Sequence, residues 1–410
     1  MTSNEPIGII ELGGIKIKCI IFKINNNIPE ILSTSLSNSE GIHNGVVINL
    51  SKASNIIRSC ISTAEKEAEV SLKKINVVIE QPEFLCTTLS KNRKINGSKI
   101  HKDDITFLLK EAKKQVVLND NTHSIIHIFN HNYIVDGKTF IEEPIDVYAN
   151  YLSHEMTFVT MPKNNIKNIN QVFTDCDIEI ERFISCTFAL GIQLLNNNDL
   201  QFGSILVDMG SEKTSLGLFK NLALINSVTL PIGVNHIVKD VAKVCLLNSD
   251  ESKSIIKKID FSFEDNKELF DINKLLINSY FKQTQYRKIS KTLLLNVAQD
   301  RLNEIFEELK KQIIVAGFNP KLGNNLYITG GGSKLKNLSK FCSDFFGSVV
   351  KKIEKKQNPK ELSDPEEDFM ACFGALILIK DGWETEAIPL PNRNDNDKDN
   401  FFAKIFKNLS

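Results

Sequence analysis

The sequence predicts an α/β protein made of two related domains, and three observations carry that prediction. The segment IIELGGIKIKCIIF (residues 9–22) lies on LVDMGSEKTSLGLF (206–219) without a gap, with 197 residues separating Glu11 from Asp208. Each copy reads as an apolar strand, an acidic residue, a glycine, a tight turn and a second apolar strand. Farther on, NNLYITGGGSKLKNLSKF (324–341) reads as a strand, three glycines and an amphipathic helix with Leu335, Leu338 and Phe341 on one face.

Composition agrees with this organisation. At 410 residues the chain exceeds the size of a single core, and 42% hydrophobic with 24% charged residues suits a globular protein. Lys+Arg and Asp+Glu both number 50, so the basic excess that drives phosphate-backbone binding is missing and nucleic acid is not expected as a partner. No stretch approaches the roughly 20 apolar residues of a membrane span, and the N-terminus lacks a signal-peptide pattern, so a cytoplasmic protein is expected. The eight cysteines include no CxxC pair, which fits buried free thiols in a reducing compartment.

The hairpin register pairs Glu11 with Asp208, Gly13 with Gly210, Lys16 with Lys213 and Phe22 with Phe219. A glycine beside the turn lets backbone amides approach an anion, and a carboxylate at the strand end can hold a divalent cation through water. One such hairpin alone is more simply an ordinary turn completed by its carboxylate. Two in one register point to a nucleotide held by both. The turn Gly330, Gly331, Gly332 and Ser333 adds bare backbone for a phosphate or a base, with Ser333 as a helix cap.

Two acidic hairpins followed by this turn resemble the ATPase core of the actin, Hsp70 and sugar-kinase superfamily. Within it the chain resembles the FtsA family of bacterial cell-division proteins over nearly its whole length. GIHNGVVINLSKASNIIRSCISTAEKEAE (41–69) is similar to the family's Gly-x-Val strand and following helix. HSIIHIFNHNYIVDGKTFIEEPIDVYANYLSHEMTFVTMP (123–162) resembles the segment that distinguishes the family from actin, in a subdomain called 1C. LPIGVNHIVKDVA (230–242) matches a family run at Gly233, Asn235 and Asp240, and YRKISKTLLLNVAQDRLNEIFEELKKQI (286–313) matches its long helix.

The resemblance implies an actin-like (ribonuclease H-like) two-domain ATPase fold with an inserted α+β subdomain 1C of SHS2 type and a C-terminal amphipathic helix. It divides the chain into subdomain 1A (1–82 and 161–200), 1C (83–160), 2A (201–246, and 312–383 with a closing helix) and 2B (247–311). ATP is expected in the cleft between the domains. Glu11, Gly13, Gly14 and Lys16 would stand on one side, and Asp208, Gly210, Ser211, Lys213 and Thr214 on the other, with Gly330 to Ser333 at the adenosine. Mg²⁺ would sit near Asp208 and Glu11, its shell completed by water.

The pattern also departs from the family. Glu11 stands where Asp is usual, and Gly14 and Ile15 replace small hydroxyl residues. Ser211, Glu212 and Lys213 replace a glycine-rich run, leaving fewer free amides, and Glu212 would oppose an anionic ligand unless it points outward. No catalytic base is assigned; Gln193 in SCTFALGIQLL (185–195) has no fixed placement, and weak or absent hydrolysis is expected.

On the long helix, apolar residues at 289, 293, 297, 302, 305, 306 and 309 predict a buried stripe that leaves Arg301 off the core. The resemblance makes Arg301 and Arg287 contacts for the C-terminal tail of the tubulin-like FtsZ. After Trp383, residues 384–400 are polar and read as a disordered tether. FFAKIFKNLS then places Phe401, Phe402, Ile405, Phe406 and Leu409 on one helical face, with Lys404 and Lys407 on another. Such a helix lies in an anionic membrane surface or packs back on the protein. The resemblance favours the membrane, and implies homopolymer formation and recruitment of later divisome proteins at the inner face of the cytoplasmic membrane.

His123, His127 and His131 would share a helical face, but SIIHIFN reads as a strand, which places them on an exposed side and argues against a metal site. DDITFLLKEAKKQV (103–116) reads as an Asp-capped amphipathic helix. A small-molecule kinase, a pilus-type relative and a scaffold that has lost nucleotide remain open alternatives.

Overall fold

A computed structural model describes residues 5–25, 28–261, 290–320, 323–353 and 367–381. These form two compact units. One holds the residues up to Asn196 with 221–225 and the segment from Glu354, the other Asn197–Lys220 and Asn226–Ile353. Among the described residues no helix is long and apolar enough to cross a membrane.

The first unit is built on β1 (Ile7–Leu12), β2 (Lys16–Asn25), β3 (Ile28–Asn38), β6 (Lys74–Ile79) and β11 (Glu179–Ser185), in the order β11-β6-β1-β2-β3. A short pair, β4 (Ile42–His43) and β5 (Val46–Val47), leads into α1 (Leu50–Ala68). The central β1 is an almost unbroken apolar run because both of its faces are covered. Asn49 caps α1 by accepting from the Lys52 amide at 3.0 Å, and Ala53, Ile57, Cys60, Ile61 and Ala64 form its buried stripe. The Ser33 and Ser35 hydroxyls of β3 donate to the Ala64 and Cys60 carbonyls of α1, each at 2.7 Å. Because side chains alternate along a strand, Cys19, opposite Ser35, faces α1, and Lys18 faces away from it.

That other face is covered by α4 (Cys186–Leu194) and the closing helix Met370–Asp381. They cross tightly at Gly374, where a Cβ would overlap the Ala189 carbonyl. The closing helix thus packs in the first unit and not with the rest of 312–383, because its apolar sequence finds its cover on α4 and β1.

Between β6 and α3 (Lys163–Thr174), β7 (Leu85–Lys99), α2 (Lys102–Asn119), β8 (His123–Val135), β9 (Lys138–Phe140) and β10 (Tyr148–Pro162) form a separate antiparallel sheet. Its order is β7-β10-β8-β9, and α2 covers a core containing Ile105, Leu108, Tyr133, Leu152, Met156 and Phe158. Two expectations are corrected here. The cap of α2 is His101, whose amide donates to Asp104 at 2.8 Å, so the acid sits inside the first turn. The histidines do lie on a strand, but His127 and His131 are buried and not exposed. The reason is cover on both sides: His127 lies beside Phe129 and Phe188 and accepts from the Ser185 amide at 2.9 Å, and His131 meets the Thr157 hydroxyl at 3.2 Å.

In the second unit, α5 (Asn197–Phe202) precedes β12 (Ser204–Met209), β13 (Thr214–Lys220), β14 (Ala223–Leu230, counted here from residue 226), α6 (Val234–Val244) and α7 (Ser249–Ile256). With β15 (Asn325–Thr329) the sheet order is β14-β13-β12-β15. Buried Asp199 ties α5 to β15, accepting from Asn325 Nδ2 at 2.7 Å and the Tyr327 hydroxyl at 2.8 Å. The long helix Lys291–Val315 starts at a Ser290 cap and packs against α6. Its stripe holds at Leu302, Ile305, Phe306 and Leu309, but before them Leu294, Leu295 and Ala298 are buried while Leu293 is exposed and Val297 only half-buried; Ile289 lies outside the described residues. Consecutive leucines leave the helix free to turn either face inward, and packing on α6 selects the second.

Candidate functional site

The two hairpins repeat in three dimensions as in sequence. In the first, Glu11 pairs with Lys18 and Ile7 with Phe22; in the second, Asp208 pairs with Ser215 and Ser204 with Phe219. The same 197-residue offset therefore relates every one of these positions. Each acidic strand also has a parallel neighbour, β6 beside β1 and β15 beside β12. A Cβ on Gly13 would overlap the Lys16 carbonyl, and one on Gly210 would stand 2.9 Å from the Lys213 carbonyl. Both turns therefore need glycine for the same reason, the close return of the backbone.

The acidic groups themselves differ. Glu11 and Lys18 form an ion pair with Nζ 2.9 Å from each carboxylate oxygen, the side chains only 12% and 17% exposed. Burial alone would lower the Lys18 pKa, but the Glu11 charge and the hydrogen bonds to it prevail and raise it above the ordinary lysine value. Lys16, the lysine predicted for phosphate, meets Asp368 at 2.8 Å in an exposed pair. Gly14 lies in the turn between β1 and β2.

In the second unit the predicted residues come together with the start of α6. A Cβ on Gly330, at φ +83°, would overlap Asp208 Oδ1 and stand 2.6 Å from the Met209 carbonyl. Gly332 lies against Met209 and Val234. Gly233 lies against the Gly210 and Ser211 carbonyls, which accept from the Val234 and Asn235 amides at 3.1 and 2.8 Å. Glu212 is turned to the same helix: Asn235 Nδ2 donates to it at 2.5 Å, and Lys239 stands 3.8 Å away. Loop carbonyls and a carboxylate thus occupy the positive end of α6.

Thr214 is fully buried and donates its hydroxyl to the Ile232 carbonyl at 2.7 Å, while Lys213 lies in the turn. Gly331 has open space around it. Ser333 does not cap an α-helix, contrary to expectation. Its hydroxyl donates to the Gly330 carbonyl at 2.7 Å and closes the 3₁₀ turn Gly331–Lys334, and the helix begins only at Leu338, running to Phe346. The delay follows from Gly330 and Asn337, both at positive φ, which bracket the turn. Leu335, before the helix, still shares buried surroundings with Leu338 and Phe341.

Mg²⁺ was expected near Asp208 and Glu11, but Glu11 does not fit as its ligand, since the Lys18 ammonium stands 2.9 Å from both oxygens and would repel a second cation there. No group of three or more His, Cys, Asp and Glu side chains suited to a metal occurs among the described residues. Arg301 is engaged inside its own unit: Nε donates to Asp240 at 2.6 Å and Nη1 pairs with Glu304. The Asp240 bond, against some loss from burial, raises its pKa. Arg287, the tether 384–400 and Phe401, Phe402, Lys404, Ile405, Phe406, Lys407 and Leu409 lie outside the described residues.

Lys18 is the residue that sequence reading missed. Its signal was available, because the hairpin register sets Glu11 opposite Lys18.

Comparison with known proteins gives these loops a family. The model for cell division protein FtsA matches residues 205–374, and the model for the SHS2 domain inserted in FtsA matches 85–160. Together they span more than half of the chain. The cell division protein FtsA of Agrobacterium fabrum is 21% identical over 349 residues, covering 82% of this chain and 78% of that protein. Among solved structures, a PilM-PilN type IV pilus biogenesis complex aligns at TM-score 0.60 and 12% identity over 91% of this chain and 98% of the other. MreB5 of Spiroplasma citri, solved bound to ADP, aligns at TM-score 0.52 and 11% identity over 92% and 98%. Both show the actin-like ATPase fold. With its repeated acidic hairpins and its inserted SHS2 domain, the chain belongs to the FtsA family of cell-division proteins.

Proposed function

We propose that this protein binds ATP, self-associates, and tethers FtsZ filaments to the inner face of the cytoplasmic membrane, where later division proteins join it. The observation that supports this most is the pair of acidic hairpins in one register, in a chain of the FtsA family. The glycine turns after Glu11 and Asp208 would receive the phosphates, and Gly330 to Ser333 the adenosine. Lys16 is free to leave its exposed pair with Asp368 for a phosphate, because such pairs contribute at most about 1 kcal/mol. Any Mg²⁺ would rest with the phosphates and Asp208, keeping much of its water. Hydrolysis is weak in this reading, since no side chain is assigned as a base.

At the other end, the Phe-rich face of residues 401–410 would enter the acyl boundary, with Lys404 and Lys407 against anionic headgroups. Arg301 and Arg287 would receive the FtsZ tail. The test is co-sedimentation with anionic vesicles of the full chain, of a chain ending at Asn400 and of Phe402→Glu, each with and without FtsZ. Pelleting of the full chain alone, carrying FtsZ with it, is the expected result. If all three stay in the supernatant, the membrane role falls.

One observation favours a second reading, a scaffold without nucleotide. The Gly210 and Ser211 carbonyls and the Glu212 carboxylate already meet the N-terminal end of α6, where a phosphate would otherwise be welcome. Titration with fluorescent ATP separates the two readings.

A further inference from the structure

The duplicated hairpins set different residues opposite their acidic side chains. Glu11 is opposite Lys18 on the paired strands and takes its ammonium on both oxygens at 2.9 Å. Asp208 is opposite Ser215, whose hydroxyl instead meets Thr229 at 2.9 Å. The cation is therefore a feature of the first hairpin's own register and has no counterpart at the matching place in the second.

A lone carboxylate beside a polyphosphate repels it unless a cation stands between them. At Glu11 a cation is already covalently supplied. We infer that Lys18 takes the place of a divalent cation at the first hairpin, so that nucleotide binds there to a neutral Glu11–Lys18 pair and Glu11 holds no Mg²⁺. The inference rests on the nucleotide-binding reading above and sharpens it. A hard divalent ion at Glu11 would face the Lys18 ammonium directly, and displacing that ammonium would strand a largely buried charge. The pair is held by strand register and not by flexible loop contacts, so it persists whatever the loops do.

The test measures anisotropy of a fluorescent ATP analogue on the full chain and compares the Kd in EDTA with that in Mg²⁺. Because any Mg²⁺ held by the phosphates and Asp208 acts alike in every variant, the ratios are compared with wild type: Lys18→Met, which leaves Glu11 alone with the phosphates, should raise the ratio by more than about 10-fold. The double variant Glu11→Gln, Lys18→Met restores neutrality and should return to within about 3-fold of the wild-type ratio, whatever its absolute affinity. Mn²⁺ binding followed by electron paramagnetic resonance gives a second readout, with an added bound ion expected only in Lys18→Met. Thermal melts establish that each variant is folded. If Lys18→Met is unfolded, the wild-type and double-variant ratios decide alone.

A folded Lys18→Met no more dependent than wild type overturns the inference, and so does a double variant whose ratio departs from that of wild type by more than about 10-fold. Those outcomes leave nucleotide binding standing. Failure of wild type to bind nucleotide in either buffer overturns the nucleotide reading, and this inference with it.

Discussion

Gly330 lies directly against Asp208, so that the last glycine-dependent step out of β15 is shaped by the carboxylate of the neighbouring strand. With φ at +83° and no room for a Cβ beside Oδ1, this position is closed to other residues on two independent grounds. Gly330→Ala should destabilise the protein by about 2–4 kcal/mol. It should also weaken ATP binding by at least about 10-fold. Urea unfolding and nucleotide titration check the two effects, and unchanged stability would show that the turn relaxes at little cost.

A similar steric argument applies at Gly374, where the closing helix crosses α4 over Ala189. Gly374→Val should force these helices apart and cost about 3 kcal/mol or more, because both are buried on the same sheet. Gly374→Ala should cost less. A drop in melting temperature that grows with side-chain size is the expected series.

The buried histidines should make the protein labile in acid. Burial pushes His127 down to about 3, and burial together with neighbouring His131 pushes His154 down to about 3. In the unfolded chain each titrates near 6.5, so below that pH the unfolded state binds protons that the folded state refuses. Stability is then full above pH 6.5 and falls as pH drops towards 3, on the order of 1 kcal/mol per pH unit for each group. His154, stacked on Tyr133 with neither ring nitrogen partnered among the described residues, is the better probe. His154→Phe should flatten the slope between pH 6.5 and 4.5 in chemical denaturation; an unchanged slope would assign the acid sensitivity elsewhere.

Arg301 links α6 to the long helix through Asp240, with both side chains partly exposed. Such a pair contributes less than about 1 kcal/mol, so Arg301→Ala should barely change the melting temperature. If Arg301 receives the FtsZ tail, the same variant should sharply reduce FtsZ carried down with vesicles. Loss of stability without loss of FtsZ would make the arginine purely structural.

The acidic hairpins were legible because a strand, a carboxylate and a turn glycine form a local pattern, and the gapless register fixed their pairing before any coordinates. The SHS2 segment was legible by resemblance, whereas its buried histidines were not: alternation along β8 does not reveal that Phe188 comes from another element to cover His127. The buried face in the first turns of the long helix is misplaced because three consecutive leucines, 293 to 295, fit either face, and the Ser333 cap because of two positive-φ residues that composition alone cannot position.

By itself, the sequence determined what is encoded by neighbours along the chain: two acidic hairpins 197 residues apart, a glycine turn after β15, and the amphipathic stripes of the helices. Tertiary structure decided which distant partners the charged side chains take. Glu212 is held by Asn235, Lys16 by Asp368 and Arg301 by Asp240. The reason is physical: strand and helix periods are short-range steric properties, whereas an ion pair depends on distance and burial, which only packing between elements sets.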